Sequence, residues 1–509
     1  MYASYTFSLV PLVDVIASPV RRGRRAVTSY AKSVRHVTLR LNSCLVSLLL
    51  LTSVCCPSAS AAKVLVYPFA HCLNSHLLVA EKVATLLADR GHDVTMLVST
   101  DYQRLDHIVH AHAPARDDDV IRVTSKPSTS SPFASTNWKH LQLLTFAAPQ
   151  NYTPICSFDS VDFMLYSPLQ TRFNACVQTF LQYCAQIVQN SKLMRRLKAE
   201  KYDVLIVEAL DPCSRVLADY IDVPFIPLVT TGLGHFDSNP RPPSYLPAVI
   251  SPFTPRMNFA QRLANLLMKV MYETVPIVMG FDPPFERLKQ EHGLNTSLSI
   301  GNTFKRASLK LVNSNFAIEY PAPVEPDTIL IGGFAIKQAR PLVGELRSFV
   351  EGAEHGVIVM SFGTLVATFT ERWAPIFAQA FSRLPQRVVW RFKDSANAVQ
   401  QYKFSDNIML APWLPQADLL AHRNTKLFIT HCGLNGMFEA AHFGVPVVAV
   451  PLSADQFNQA SKMVDYIGMG LQVDIETLTA EKLFEVISLT LNDSQYRDNA
   501  RQVSLRFQD

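Results

Sequence analysis

Three short stretches hold most of the residues whose types and spacing suit chemistry: Trp413-Leu-Pro-Gln-Ala-Asp418, Phe428-Ile-Thr-His-Cys-Gly-Leu-Asn-Gly-Met-Phe-Glu-Ala440 and Gly444-Val-Pro-Val-Val-Ala-Val-Pro-Leu-Ser-Ala-Asp-Gln456. The middle stretch reads as a strand ending at Thr430, a turn His431-Cys-Gly433 and a helix opening near Leu434. Backbone N–H groups at a helix start point outward, and the helix dipole favours an anion there. Gly433 and Gly436 let the backbone approach a ligand closely. His431 and Asn435 add side-chain donors, which makes a seat for a diphosphate. The Lys of a Walker loop is missing, so γ-phosphate chemistry is not expected. Glu439 lies four residues after Asn435, on the same helix face. A carboxylate there suits paired ribose hydroxyls. Trp413 offers a flat face for a base, and Gln416 an amide for its edge. Asp455 and Gln456 follow a strand end and can grip sugar hydroxyls.

These residues need a rigid frame, and the chain reads as α/β from Lys63 on. Lys63-Val-Leu-Val-Tyr-Pro68 is a buried parallel strand by pattern. Ser75 is placed to N-cap a helix from His76, and Gly91 stops it. Val94-Thr-Met-Leu-Val98 completes a βαβ unit whose loop lies where such sheets place ligands. His112 to Thr136 reads as mostly loop around a short strand, Val120-Ile-Arg-Val123. Helical spacing runs from Val161 to Glu200. Tyr202-Asp-Val-Leu-Ile-Val207 and Val223-Pro-Phe-Ile-Pro-Leu228 are strands around a helix from Cys213 to Ile221. Residues 236–256 are rich in Pro and Ser and read as a surface loop. Helices follow to about Gln290, then strands at Leu309–Asn313 and Thr328–Ile331. A linker runs from Gly332 to about His355. A second α/β run holds strands at Gly356–Ser361, Arg387–Phe392, Leu427–Thr430 and Val447–Val450. Two doubly wound, Rossmann-like domains facing a central cleft are expected, residues 62–335 and 336–509, after a leader of residues 1–61.

The elements W-x-P-Q, T-H-C-G-x-N-G-x-x-E and P-L-x-x-D-Q, in this order and spacing, resemble the UDP-glycosyltransferase family of GT-B enzymes, in its animal, UDP-glucuronosyltransferase-like form. The resemblance covers roughly Lys63 to Asp509. It implies that Trp413 and Gln416 hold uracil, and that His431, Gly433 and Asn435, with Gly436 beside them, hold the diphosphate. Glu439 is then the ribose ligand, and Asp455 and Gln456 hold the sugar. Ser361 and Arg391 match further nucleotide-side positions. Cys432 stands where animal members often have Gly and plant members commonly Cys.

Transfer of a glycosyl group to a hydroxyl needs a base near the acceptor, and His is the usual choice because its pKa lies near neutrality. The family's catalytic His opens the first helix, sixteen residues before an Arg-Gly-His turn. That turn is Arg90-Gly91-His92, which points to His76. His71 is the alternative register of the same loop. A helix N-terminus keeps the ring neutral and able to accept a proton. The family's orienting partner is an Asp, but the matching residue here is Glu208, one methylene longer. Asp211, three residues on, is the alternative partner. The resemblance implies a single displacement that turns an α-linked UDP-sugar into a β-glycoside, with no metal and no cofactor beyond the UDP-sugar co-substrate. Asp117-Asp-Asp119 mimics a metal-binding D-x-D but lies in the polar loop region.

Animal relatives use UDP-glucuronate, UDP-glucose or UDP-galactose. Arg262 matches an Arg of several subfamilies and does not discriminate among them. The acceptor is expected to be a small lipophilic alcohol, phenol or lipid, bound near segments 158–181 and 236–250. Relatives continue past the point matching Asp509 into a membrane span and a basic tail, so membrane association and the endoplasmic reticulum are expected for the full-length protein. An oligomer, with a second copy or a related chain, is also within family range. The competing class is a catalytically inactive UDP-sugar binder or partner subunit, suggested by Glu208. A Rossmann epimerase or dehydrogenase would need G-x-G-x-x-G after the first strand. Residues 68–75 contain no Gly.

Composition agrees. The 509 residues are 48% hydrophobic and 17% charged, which excludes a disordered chain. The formal net charge is +5. Residues 1–62 carry seven basic side chains and one acid, leaving 40 basic and 41 acidic side chains in the other 447. A nearly neutral body excludes a nucleic-acid binder. The leader runs basic, then apolar (Cys44 to Cys56), then small (Pro57 to Ala62). That is the order of a secretory signal, and its apolar run is shorter than the roughly 20 residues of a membrane span. A secretory route gives meaning to sequons at Asn151, Asn295 and Asn492. Six cysteines follow the leader (Cys72, Cys156, Cys176, Cys184, Cys213, Cys432), and spacing does not pair them.

Overall fold

The computed structural model describes residues 61–68, 74–101, 120–122, 140–150, 161–234, 238–278, 282–294, 299–363, 372–393 and 404–508, with a few single positions between them. Two sheets organise the chain. The first carries β1 (Lys63–Tyr67), β2 (Asp93–Ser99), β3 (Val120–Arg122), β4 (Leu141–Phe146), β5 (Val204–Glu208), β6 (Phe225–Val229), β7 (Lys310–Val312) and β8 (Thr328–Leu330). Their order is β3-β4-β2-β1-β5-β6-β7-β8. All neighbours are parallel except β3 on β4. The second carries β9 (Val357–Ser361), β10 (Arg387–Arg391), β11 (Ile408–Ala411), β12 (Thr425–Thr430), β13 (Val447–Ala449) and β14 (Gly470–Gln472). It is parallel throughout, in the order β11-β10-β9-β12-β13-β14.

Each sheet is buried on both faces because side chains alternate along a strand. In β1, Val64 and Val66 pack with the helix Asn74–Asp89 through Leu77, Val79, Val83 and Leu87. Leu65 and Tyr67 face the other way, toward Phe180, Ile187 and Leu217 of the helices Leu169–Gln189 and Cys213–Ile221. The second sheet repeats the scheme. Ile358 and Met360 meet Trp373 and Phe377, while Val357 and Val359 meet Met437 and Phe438 of the helix Leu434–Phe443. The final helix, Ser494–Gln508, lays Phe507 beside Phe438.

Several expectations are corrected. The first helix begins at Asn74, so Ser75 lies in its first turn rather than at the N-cap. β4, β11 and β14 are strands where none was expected. Residues 238–256 carry no helix or strand, but Leu246 and Ser251 are buried, so this segment is more than a surface loop. The linker after Gly332 contains the helix Gly344–Glu351. Val161, in the helix Val161–Tyr166, packs into the core of the second sheet, and Asp162 there accepts a bond from Trp373 Nε1 at 3.1 Å.

Cys184 and Cys213 form a disulfide that joins two helices behind β5. Cys176 and Cys432 are thiols, whereas Cys72 and Cys156 lie outside the described residues. So do most of the leader, His71, Asp117 to Asp119, and the sequons at Asn151 and Asn295. Asn492 ends the helix Ala480–Asn492 and is exposed. No helix among the described residues is long and apolar enough to cross a membrane.

The helix Phe259–Val278 has its polarity turned inside out. Asn265 is fully buried and bonds Ala248 N, Pro243 O and Leu246 O. Phe259, Leu263, Leu266 and Leu267 face outward, with Phe259 74% and Leu267 57% exposed. Arg262 stands on this outward side and donates to the Met257 carbonyl at 2.6 Å.

Candidate active site

The carboxyl ends of β1, β5 and β6 lie side by side, which is where open parallel sheets place ligands. Glu208 ends β5, Thr230 follows β6, and His76 sits in the first turn of the helix after β1. His76 Nδ1 is 3.1 Å from Glu208 Oε1 and 2.5 Å from Thr230 Oγ1. Thr230 Oγ1 donates to Glu208 Oε1 at 2.6 Å. Glu208 Oε2 accepts the Leu210 and Asp211 amides at 2.7 and 3.2 Å. The Glu208 side chain is fully buried, and His76 keeps 14% of its own exposed.

Glu208, rather than Asp211, is thus the carboxylate on His76 Nδ1. Asp211 accepts instead from the Tyr67 hydroxyl at 2.7 Å and the Cys213 amide at 2.9 Å. Burial pushes its carboxyl up to about 7, against the opposing bonds from Tyr67 and Cys213. Thr230 carried no signal in the sequence. It is one of two threonines at a strand end and becomes a site residue only when β5 and β6 are neighbours.

The second half of the site sits at the ends of β9, β10 and β12. His431 follows β12, and its ring stacks on Phe362 with centroids 6.2 Å apart. Two glycines make room for that ring. A Cβ on Gly363 would lie 2.7 Å from His431 Cε1, and one on Gly433 2.6 Å from Nε2. Gly363 and Gly433 therefore seat the His431 ring, whereas a Cβ on Gly436 would meet Gln416 Nε2 at 3.4 Å, an ordinary contact. Burial first, then the Arg391 guanidinium, push the His431 imidazole down to about 4. Its ring is neutral at pH 7, and its Nδ1 is buried without a hydrogen-bond partner. The next residue, Cys432, has φ +67. That left-handed backbone suits Gly best.

The helix Leu434–Phe443 opens directly after the turn, with Gly433 as its N-cap. Its first amides lack an intrahelical acceptor and are available to an anion. Gln416 Nε2 donates to Glu439 Oε2 at 2.5 Å. Burial raises the Glu439 carboxyl to about 7, with Gln416 opposing. Arg391 lies over the Trp413 ring at 5.4 Å and donates to the Gly363 carbonyl. Trp413 keeps 59% of its surface exposed, leaving ring area for a base. Ser361 ends β9, buried beside Thr430. Gln456 Oε1 accepts the Leu452 and Ser453 amides at 2.8 and 3.1 Å, which holds the loop carrying Asp455. Burial raises the Asp455 carboxyl, opposed first by its own backbone amide and then by His76, which lies within electrostatic range.

Asn435 joins the halves. Its Nδ2 donates to the Ser75 carbonyl at 3.0 Å, one residue before His76, and its Oδ1 accepts from Asn313 at 3.0 Å. Asn313 and the other interdomain contacts had no sequence signal. Ser461 Oγ donates to Pro252 O at 2.6 Å, and Lys462 Nζ meets Glu319 Oε2 at 2.8 Å. Among the described residues no group of three His, Cys, Asp or Glu is placed to hold a metal.

Residues 62–509 match the family described as UDP-glucoronosyl and UDP-glucosyl transferase. This chain belongs to that family. UDP-glucuronosyltransferase 2A3 of Cavia porcellus is 31% identical over 467 residues, 90% of this chain and 83% of its own length. UDP-glucuronosyltransferase 2B7 of Homo sapiens is 29% identical over 468 residues, with the same two shares. Among solved structures, a glycosyltransferase of kitacinnamycin matches with TM-score 0.59 and 16% identity over 87% of this chain and 94% of its own. Os79 from O. sativa, in complex with UDP, gives 0.56 and 16% over 88% and 95%. Those likenesses establish the GT-B fold. The chain is a UDP-glycosyltransferase, an enzyme that takes its glycosyl group from a UDP-sugar.

Proposed function

We propose that this UDP-glycosyltransferase moves a hexosyl or glucuronosyl group onto a hydroxyl of a small lipophilic acceptor, with inversion to a β-glycoside and without a metal. The observation that carries the reading is His76 held through Nδ1 by Glu208 at 3.1 Å, one residue from the Ser75 carbonyl that Asn435 of the donor half contacts. The acceptor oxygen attacks the anomeric carbon, the bond from that carbon to the UDP oxygen breaks, and the acceptor proton passes to His76 Nε2. Charge developing on the leaving diphosphate falls to the first amides of the helix Leu434–Phe443 and to His431. Trp413, Arg391 and Gln416 hold the uridine, Glu439 the ribose, and Asp455 and Gln456 the sugar. An inactive UDP-sugar binder was suggested by Glu in place of Asp. The contact of Glu208 Oε1 with His76 Nδ1 at 3.1 Å supports the active reading instead.

The test is UDP release from UDP-glucuronate, UDP-glucose and UDP-galactose with a panel of phenols and lipid alcohols. Turnover that persists in EDTA and yields a β-linked product supports the reading. An α-linked product, or chelator-sensitive turnover, contradicts it.

We further infer a membrane-associated protein of the endoplasmic reticulum lumen that enters through its leader. The outward apolar face of the helix Phe259–Val278, with Arg256 and Arg262 beside it for lipid headgroups, supports contact with a bilayer surface. Flotation with vesicles containing anionic lipid, lost in a Phe259→Ser/Leu263→Ser/Leu267→Ser variant, is the expected result. An endoglycosidase-sensitive glycan on Asn492 would report the luminal side.

A further inference from the structure

Glu208 Oε2 is held by two backbone amides, and Thr230 stands against its other oxygen, Oε1. We propose that Thr230 is a positioning residue for the base: it holds this carboxylate in place and fixes which nitrogen of His76 carries the proton. This deepens the base reading given above and rests on it.

The ionised Glu208 carboxylate can only accept. Its Oε2 is committed to two amides, so Oε1 faces both Thr230 and His76. Thr230 has one hydroxyl hydrogen. Given to Glu208 Oε1 at 2.6 Å, it leaves an oxygen lone pair toward His76 Nδ1 at 2.5 Å. That contact then needs its hydrogen on the nitrogen. The Nδ1–H is shared between Thr230 Oγ1 and Glu208 Oε1, and Nε2 keeps the lone pair that takes the acceptor proton.

The opposite assignment fails. If Thr230 donated to Nδ1, the Nδ1 lone pair would also face the Glu208 oxygen with no hydrogen between them. Both Glu208 and Thr230 are buried, so no water competes for these bonds and a broken one is costly. The Thr230 carbonyl accepts separately from Asn313 Nδ2, so the backbone stays tied whatever the side chain.

The experiment compares Thr230→Val, which keeps the shape and loses the hydroxyl, with Thr230→Ser, which keeps the hydroxyl. Turnover of UDP-glucuronate, UDP-glucose and UDP-galactose is measured with 1-naphthol, alongside His76→Ala and a UDP binding isotherm for each variant. The expected result is a kcat about ten-fold lower in Thr230→Val, with donor KM and UDP affinity within about two-fold, and Thr230→Ser keeping a third or more of kcat. Should Thr230→Val fail to fold, Thr230→Ala serves as the second variant without the hydroxyl. Glu208→Asp is also expected to lose about ten-fold in kcat, because the shorter carboxylate no longer reaches both partners. Full kcat in Thr230→Val while His76→Ala is inactive would overturn the proposal and leave the base reading standing. Equal loss in the Ser and Val variants would overturn it too, by pointing to packing. Full turnover in His76→Ala would instead remove the base reading itself.

Discussion

The two halves of the site treat their polar groups in opposite ways. At the ends of β5 and β6, Glu208 is saturated inside the protein by Thr230, His76, Leu210 and Asp211. At the end of β12 and on the helix that follows it, His431 and Glu439 are half-buried with few partners and driven toward neutrality, His431 down to about 4 and Glu439 up to about 7. The first arrangement holds one geometry, which a proton acceptor needs. The second leaves His431 Nδ1 without an internal partner and gives Glu439 the single bond from Gln416, so fewer internal bonds stand between these groups and a nucleotide. In this chain the corner around Glu208 is therefore saturated internally, while the proposed donor seat has fewer internal bonds.

The sharpest way to break this contrast is His431→Ala. A neutral N–H bonded to a charged oxygen is worth about 1.5–3 kcal/mol. UDP affinity by calorimetry is expected to fall between ten- and a hundred-fold, while Thr230→Val leaves it within about two-fold. Equal losses in both would erase the distinction between the halves.

Asp211, packed behind the base corner, comes next. Its folded carboxyl is raised to about 7, above its unfolded value, so the folded state binds the extra proton between about pH 4 and 7. Its contribution is fully present at low pH and is lost as pH rises through that window. Asp211→Asn keeps a bonded partner for Tyr67 and removes the titration. It is expected to be more stable than the parent by about 2 kcal/mol at pH 8 and to lose the slope, as read by urea melts across pH. A parent melt flat from pH 5 to 8 would contradict this.

Glu439 sharpens the other side. Ribose hydroxyls bond best to the ionised carboxylate, and the raised value leaves about half of it protonated near pH 7. Donor KM is expected to fall several-fold from pH 6 to pH 8, and Glu439→Gln is expected to be flat and weaker. The smallest effect concerns Cys432. Changing it to Gly relieves a left-handed φ of +67 worth roughly 1–2 kcal/mol and deletes a buried side chain, so the melt should shift by about 1 kcal/mol or less in either direction.

The turn and helix of the proposed donor seat were legible because their pattern is local. His431, Gly433, Asn435 and Glu439 sit on one turn and one helix, so their spacing is their geometry. His76 and Glu208 needed the family register, since 132 residues separate them. Thr230, Asn313 and Tyr67 were silent, because what makes them functional is the order β1-β5-β6-β7 and not their neighbours in sequence. β14 was missed for its three residues, and β4 for a pattern, Leu-Gln-Leu-Leu-Thr-Phe, that suits helix and strand alike. The reversed helix Phe259–Val278 shows its apolar period in sequence, but only packing reveals that Asn265 faces inward.

We propose that one half of the site takes the proton and the other holds the donor. The most direct measurement is turnover and UDP affinity in the same His76→Ala protein. We expect kcat to fall by a factor of about 100 or more with UDP affinity within about two-fold of the parent. Turnover within a few-fold of the parent, or UDP affinity lost together with turnover, would contradict it.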